Sequence, residues 1–285
     1  MASQAASAPA SPTIGQALAQ PRRRGKLHQL ALYKLPPALR RACQARIACL
    51  VIPHFQLEIE LLHRPELRGK SVVIGGGVNQ PKTVLDCSPE AETWGVTVGQ
   101  QLRQALARCH EAIFLEARPT VYADVNDRVF QAAYSISPRV EIRSAGCLYA
   151  DVSRLRQSED ALLAELLLEV SKSSGLEPKG AIASGKFPAY AAAVNSQRPR
   201  VVPADEMADF VADLGCSHLP VPLEMRTRLS SFGIYRLRDI ARLPKGAMLA
   251  QFGWDGARAW ELSVGLDTEF LRAAIPYEEV TDQLD

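Results

Sequence analysis

The chain has 285 residues, of which 47% are hydrophobic and 22% are charged. That length suits about two domains with cores of their own, and no apolar run reaches the roughly 20 residues that a membrane span needs. Six cysteines occur without a CxxC pair or a histidine at ligand spacing. This pattern argues against a structural zinc site and favours a reducing compartment.

Charge is distributed unevenly along the chain. Residues 1–57 contain no Asp or Glu and eight Lys or Arg, although the whole chain has a net charge of only +2. The rest of the chain has a net charge of −6, because its 25 basic residues face all 31 acidic ones. Proteins that grip duplex DNA usually present a basic surface, so the globular part is a poor match for tight non-specific DNA binding.

Residues 1–45 predict a disordered basic arm. The first 20 residues are rich in Ala, Ser, Pro and Gln, and the basic cluster PRRRGK follows them. An organelle transit peptide would share this composition, but no amphipathic helix with a cleavage signature follows. A solvated arm that touches nucleic acid is the favoured interpretation.

From Arg46 onward the pattern alternates between strands and helices. The segments RIACLVIPHF, KSVVIGG, AIFLEAR, VEIRS and CLYADVS predict strands, and a tight turn at Ala145-Gly146 separates the last two. Residues 98–109, 121–135 and 159–171 have helical spacing. This alternation predicts an α/β core. After Pro203 the spacing is helical up to about Val264 with Pro and Gly interruptions, which predicts a small all-helical second domain.

Two motifs are typical of a phosphate-binding loop and of a nucleophilic cysteine, but the residues around them do not support either function. The segment from Gly180 to Phe187 satisfies GxxxxGK, but Phe187 stands where a phosphate-binding loop needs Ser or Thr, and we expect Pro188 to interrupt the following helix. Cys147 lies in a predicted strand without an identifiable base, so packing is its favoured role. The sequence therefore favours neither a nucleotide hydrolase nor a thiol enzyme.

Several segments in order resemble the Y-family (UmuC/DinB-like) DNA polymerases. Residues 46–76, with the hallmark RPELRGK, and residues 82–106 and 140–153 resemble the palm and fingers, and residues 219–267 resemble the thumb. The resemblance implies an α+β fold. It places an α/β-type palm with a ferredoxin-like sheet and small fingers at 46–180 (fingers about 55–111), an all-helical thumb at 181–272 and a tail at 273–285.

The same resemblance shows where the chain departs from the family. Family polymerases hold two divalent metals with carboxylates, in an Asp-x-Asp after the first palm strand and in a Ser-x-Asp-Glu segment. Here the first site reads Val51, Ile52 and Pro53, and Gly146 and Cys147 replace the second acid pair. Because these side chains offer no carboxylate, we expect no catalytic residue, no bound metal and no cofactor.

The nucleotide- and DNA-binding features differ as well. Glu92 stands where the family has an arginine that holds triphosphate oxygens, and Pro220 and Pro222 replace thumb glycines whose N–H groups approach phosphate. The residues expected to bind DNA are Lys186, which matches a phosphate-contacting lysine of the family, and four thumb arginines, Arg226, Arg228, Arg236 and Arg238. For the arginines, a solvated helix face is the alternative.

These departures resemble the ImuB-like branch of the family. The resemblance implies a non-catalytic scaffold in DNA repair, translesion synthesis and the SOS response, located in the bacterial cytoplasm at the nucleoid, and without the family's little-finger domain. Its expected partners are weakly bound damaged or primed DNA, a sliding clamp, a C-family error-prone polymerase and a RecA-like protein. Two alternatives stay open: a vestigial protein-interaction module without a DNA role, and a nucleotidyltransferase that uses Glu58, Glu60 or Asp151.

A short peptide in the arm resembles the clamp-binding pentapeptide of bacteria. It comprises Gln29, Leu30, Leu32 and Tyr33 around Ala31. Leu32 and Tyr33 would enter an apolar pocket, and Gln29 would form a hydrogen bond at its edge. The alternative is a short helix that packs on the palm.

Overall fold

A computed structural model of the chain describes His28 and residues 31–76 and 82–274. The strands are β1 (Arg46–Val51), β2 (Val72–Gly75), β3 (Val84–Cys87), β4 (Ile113–Leu115), β5 (Val140–Ser144), β6 (Cys147–Asp151), β7 (Lys179–Ser184) and β8 (Arg200–Val201). The helices are α1 (Pro37–Gln44), α2 (Phe55–His63), α3 (Pro89–Thr93), α4 (Leu102–Arg108), α5 (Pro119–Tyr134), α6 (Glu159–Ser174), α7 (Lys186–Asn195), α8 (Met207–Asp213), α9 (Leu223–Ser231), α10 (Leu237–Ala241) and α11 (Lys245–Ser263).

The chain divides into two compact units. Among the described residues, the α+β unit comprises Arg46–Ile182, Ala192–Val201 and residues 271–274. The helical unit comprises the described residues up to Ala45, Ala183–Ala191 and Val202–Phe270.

The α+β unit contains two sheets. The larger sheet has the strand order β5-β6-β1-β7-β8, and β6 is antiparallel to both β1 and β5. The smaller sheet has the order β3-β2-β4, in which β2 is antiparallel to β3 and parallel to β4. Of the five predicted strands, β1, β5 and β6 therefore lie in the larger sheet and β2 and β4 lie in the smaller one.

The core of the α+β unit lies between helices and one face of the larger sheet. Ala48 and Leu50 of β1, and Ile52 just after it, are buried with Leu162 and Leu166 of α6. Helix α6 begins where the Ser158 side chain accepts a hydrogen bond from the backbone N–H of Ala161 and ends at a left-handed Gly175, two signals typical of helix boundaries. The other face of β1 carries Cys49 and Val51.

The helical unit buries apolar side chains from several of its helices. Met207, Leu229, Ile234 and Leu237 are fully buried, and Leu32 packs against a cluster that includes Cys43, Val264 and Leu266. The helical region predicted after Pro203 is confirmed by α8 to α11. No helix in the described part of the chain is long and apolar enough to cross a membrane.

The α+β fold class is confirmed, and several local predictions are wrong. Residues 37–44, predicted to belong to a disordered arm, form helix α1 and bury Ala42 and Cys43. The region predicted to be all-helical from residue 181 includes strand β8. Helix α4 begins at Leu102 instead of residue 98, because Gln100 and Gln101 continue the chain beside β3. Pro188 does not interrupt a helix, since it lies in the first turn of α7. A proline is tolerated there because the first N–H groups of a helix have no partner within it.

Candidate functional site

The positions that replace the family's metal-binding acids lie together in the α+β unit. Val51 at the end of β1 is paired with Cys147 at the start of β6. The backbone N–H of Ile52 donates a hydrogen bond of 2.7 Å to the carbonyl oxygen of Gly146 in the β5–β6 turn. The two motif segments are therefore neighbours, as the resemblance implies.

The space beside Gly146 is filled by a phenylalanine. Gly146 has a φ of +70°, and a Cβ atom added to it would lie 2.6 Å from Cβ of Phe55 and 2.7 Å from two of its ring carbons. The Gly146 N–H donates to Oδ1 of Asn126 at 2.9 Å, which holds the turn in place. A larger residue at position 146 would meet both a strained backbone and the buried Phe55 ring.

Two thiols occupy the face of the sheet on which Val51 lies. Cys49 and Cys147 are buried on neighbouring strands, two register positions apart on the same face. A hydrogen bond from the Cys49 thiol and the nearby Arg143 guanidinium lower the pKa of Cys147, whereas burial raises the pKa of Cys49. Thiol groups are soft ligands, in contrast to the oxygen ligands that Mg²⁺ prefers.

A buried aspartate near this site was missed by the sequence analysis. Asp86 of β3 accepts a hydrogen bond of 3.1 Å from the N–H of Leu57, which caps the first turn of α2, and one of 2.9 Å from the N–H of Cys87. His54 Nδ1 lies 3.2 Å from Asp86 Oδ1, and this hydrogen bond raises the pKa of His54. The only sequence signal is a single charged residue within an apolar strand.

The three carboxylates considered as alternative ligands are held by different arginines. Glu60 is 1% exposed and accepts hydrogen bonds from Arg118 Nε at 2.8 Å, Arg118 Nη2 at 2.9 Å and the Tyr122 hydroxyl at 2.7 Å. Glu58 lies 3.8 Å from Arg68 Nη1, and Asp151 lies 2.9 Å from Arg139 Nη1. These carboxylates do not converge on one point.

The divalent metals implied by the family resemblance do not fit these residues. Val51, Gly146 and Cys147 supply no carboxylate oxygen, and the described residues contain no group of three His, Cys, Asp or Glu side chains suited to a metal ion. The side chains at these positions therefore lack the hard oxygen ligands that Mg²⁺ prefers.

The segment that replaces the family's triphosphate-binding residues forms a helix start. The Ser88 side chain accepts from the backbone N–H of Ala91 and of Val72 and donates to the carbonyl oxygen of Lys70. Ser88 thereby begins α3 and joins it to β2. Glu92 lies on α3 and is exposed.

The residues predicted to bind DNA have different environments in the helical unit. Lys186 is buried, and its Nζ lies 2.6 Å from Glu269 Oε1. The neighbouring buried Asp267 accepts hydrogen bonds from the Phe187 N–H at 2.7 Å and from Arg258 Nη2 at 2.5 Å. An acidic segment therefore lies around the lysine that was expected to meet phosphate.

The four arginines divide into exposed and partly covered side chains. Arg228 is exposed and lies over the Phe252 ring at 5.1 Å, and Arg236 is exposed and donates to the carbonyl oxygen of Asp213 at 3.1 Å. Arg238 is paired with the Asp213 carboxylate at 3.1 Å. Arg226 is half-buried and donates to the Ser217 carbonyl oxygen at 3.1 Å.

The clamp-like peptide is described only in part. Gln29 and Leu30 lie outside the described residues. Leu32 is partly buried in the cluster around Cys43, whereas Tyr33 is 78% exposed beneath the Arg40 guanidinium, 5.4 Å from the ring centre.

The fold is that of a known class of polymerase. The solved structure of DinB from Sulfolobus solfataricus superposes with a TM-score of 0.72 over 80% of this chain and 69% of its own, at 19% sequence identity. A family model described as the impB/mucB/samB family matches residues 50–193, about half of the chain. The chain belongs to this family, which confirms the resemblance to Y-family polymerases at the level of the superfamily.

Two curated relatives have the same name. DNA polymerase IV of Desulfatibacillum aliphaticivorans is 31% identical over 220 residues, which are 75% of this chain and 55% of the relative. DNA polymerase IV of Shewanella sp. (strain ANA-3) is 30% identical over 216 residues, 73% of this chain and 60% of the relative. The chain thus spans little more than half the length of these relatives.

These relatives contradict the predicted non-catalytic scaffold. Their name is that of an enzyme, so the prediction of a scaffold that is not an enzyme is wrong. That prediction rested on three side chains, Val51, Gly146 and Cys147, whereas the similarity extends over more than 200 residues.

Proposed function

We propose that this chain takes part in translesion DNA synthesis in the manner of proteins named DNA polymerase IV, and that it engages primer–template DNA. The observation that carries the proposal is the 31% identity over 220 residues to such a protein. The retained contact between the end of β1 and the β5–β6 turn supports it, because this contact brings together the two segments that form the family's site.

The helical unit offers the side chains for DNA engagement. Arg228 and Arg236 are exposed, and neither forms an ion pair with a carboxylate within the described residues. Guanidinium groups of this kind bind phosphate through paired N–H donors. Lys186 is already paired with Glu269, so the exposed arginines are the better candidates.

Fluorescence anisotropy of a labelled primer–template duplex tests this proposal. We expect the full chain to bind, with an affinity that falls about tenfold to a hundredfold between roughly 50 and 200 mM salt, as for a few phosphate contacts. The variant Arg228→Ala/Arg236→Ala should bind several times more weakly and show a flatter salt dependence. Arg156→Ala, which removes an exposed arginine of the loop between β6 and α6, is the matched control.

Two outcomes would reject DNA engagement by these arginines. One is the absence of saturable binding at low salt, and the other is an equal loss of affinity in the Arg156→Ala control. Primer extension in the same samples, with dNTPs and Mg²⁺, measures the activity for which the relatives are named.

Finer assignments within the family are proposals from the sequence resemblance alone. They are placement near the ImuB-like branch, a role in the SOS response at the nucleoid, and partnership with a sliding clamp, a C-family polymerase and a RecA-like protein.

For the clamp, the supporting observation is the exposed Tyr33. Titration of a labelled peptide spanning residues 26–35 against the bacterial clamp, with Gln29→Ala/Leu32→Ala/Tyr33→Ala as control, tests that contact. Genes for the other two proteins beside this gene would support the partnership.

A further inference from the structure

The helical unit has a groove beside the start of α9, which we name the Arg226 groove. Its volume is about 370 Å³. The residues that line it are Cys216, Ser217, Leu223, Arg226, Thr227, Ser230, Ile234 and Tyr235. All of them lie within one unit of the chain.

The rim of the Arg226 groove is apolar. Leu223 is 70% exposed and Tyr235 is 65% exposed, so both present large apolar surfaces to solvent. Exposed apolar surface that lines a concave site is characteristic of positions where another molecule binds. A partner that covered these two side chains would remove their apolar area from water.

Inside the groove, one basic group has an unused donor. Arg226 Nη1 donates to the Ser217 carbonyl oxygen at 3.1 Å, but Arg226 Nε is buried and has no acceptor among the described residues. The residues that line the groove include no carboxylate. The chain therefore satisfies this guanidinium only in part, and a carboxylate in the groove would pair with the half-buried Arg226 side chain, which has no carboxylate partner of its own in the groove lining.

The start of α9 is poorly suited to a DNA phosphate. Pro220 and Pro222 have no N–H group, and Pro222 is the residue that precedes the helix. Glu224 in the first turn adds a negative charge where a phosphate would approach. A ligand that offers an apolar side chain together with one acid matches the groove better than a sugar-phosphate chain.

We propose that the Arg226 groove binds a short peptide of a partner protein in which an apolar residue adjoins an Asp or Glu. The apolar side chain packs between Leu223 and Tyr235, and the carboxylate accepts hydrogen bonds from Arg226. This contact is separate from the proposed DNA engagement by Arg228 and Arg236.

Selection from a random-peptide display library on the immobilised full chain supplies the probes. We expect enriched peptides to share an apolar residue next to an acidic one. Synthetic versions, measured by fluorescence anisotropy, should lose at least tenfold in affinity for Arg226→Gln and for Leu223→Ser/Tyr235→Ser. Leu249→Ser, which alters a 40% exposed leucine on α11 outside the groove, should change the affinity less than twofold.

A double-variant comparison separates direct contact from misfolding. Replacing the peptide's acid by Gln or Asn should weaken binding to the unaltered protein about tenfold and to the Arg226→Gln variant hardly at all, because the pair is already broken. Circular dichroism of each variant checks folding, and Arg226→Lys should recover part of the affinity.

Three results would overturn the proposal: no enriched motif, binding that Arg226→Gln leaves unchanged, or a groove occupied by another molecule. The last would appear as competition of duplex DNA with the peptide, or as self-association of the chain that Leu223→Ser abolishes. Because Leu223→Ser should leave primer–template affinity within twofold, failure of this proposal is distinguishable from failure of DNA engagement.

Discussion

Two places in the α+β unit differ in whether they keep a buried carboxylate. At the β5–β6 turn the family's carboxylates are replaced, and the Phe55 ring lies against Gly146. About the middle of α2, Glu60 is buried at 1% exposure, with two hydrogen bonds from Arg118 and one from Tyr122. The difference is the source of the positive charge, because Glu60 has its partner in the chain, whereas a metal-binding acid depends on an ion.

Removing Arg118, the partner of Glu60, should have the largest effect on stability. In Arg118→Met, Glu60 would stay buried with one hydrogen bond, which should lower the free energy of unfolding by about 3–5 kcal/mol. Urea unfolding followed by circular dichroism measures this loss. The double variant Glu60→Gln/Arg118→Met removes the uncompensated charge and should lose less than half as much; an equal loss would show that the charge is not the cause.

Restoring an acid at the turn should have the next largest effect. Gly146→Asp places a side chain at a left-handed φ and against Phe55, so we expect a loss of about 2–4 kcal/mol. Gly69→Asp is the matched control, because Gly69 has a φ of +74° and no atom within 4 Å of an added Cβ. It should lose only about 1–2 kcal/mol. If the two variants unfold at the same urea concentration, Phe55 does not restrict the turn.

The pair of His54 and Asp86 is intermediate between these two sites, because the positively charged partner of the carboxylate is a histidine that can lose its proton. The Asp86 hydrogen bond raises the pKa of His54 above its usual 6.5. The pair's contribution to stability is therefore complete below the unfolded-state pKa and is lost as the pH rises through the folded-state pKa. We expect it to amount to about 0.5–1 kcal/mol.

Unfolding from about pH 5.5 to 8.5 tests this dependence. His54→Gln should remove the part of the pH dependence that His54 contributes, and an NMR titration of the His54 ring should give a midpoint above 6.5. A ring that titrates below that value would contradict the hydrogen bond to Asp86.

The sequence predicted the architecture better than the environment of single charged groups. Strand alternation and helical spacing located most of the strands and the helical region, because burial imposes a period on many residues at once. Lys186 matched a family position, yet its partner Glu269 lies 83 residues further along the chain. Asp86 was missed for the same reason, since its partners His54 and Leu57 come from another element.

The functional prediction failed at a different step. Val51, Gly146 and Cys147 were placed correctly relative to one another, as the register of β1 and β6 shows. Their identities were then taken to define the activity of the whole chain, which the curated relatives contradict. These three positions define only the side chains that could bind a metal. The function of the chain depends on its other residues as well.

The Phe55 ring beside Gly146 also limits which mutations the β5–β6 turn tolerates. An aspartate arriving at position 146 while Phe55 is in place would lower stability at once, and most proteins have only a small margin to lose. A smaller residue at position 55 would first have to open the space. A single mutation that introduces an acid at position 146 therefore lowers stability as long as Phe55 keeps its present position.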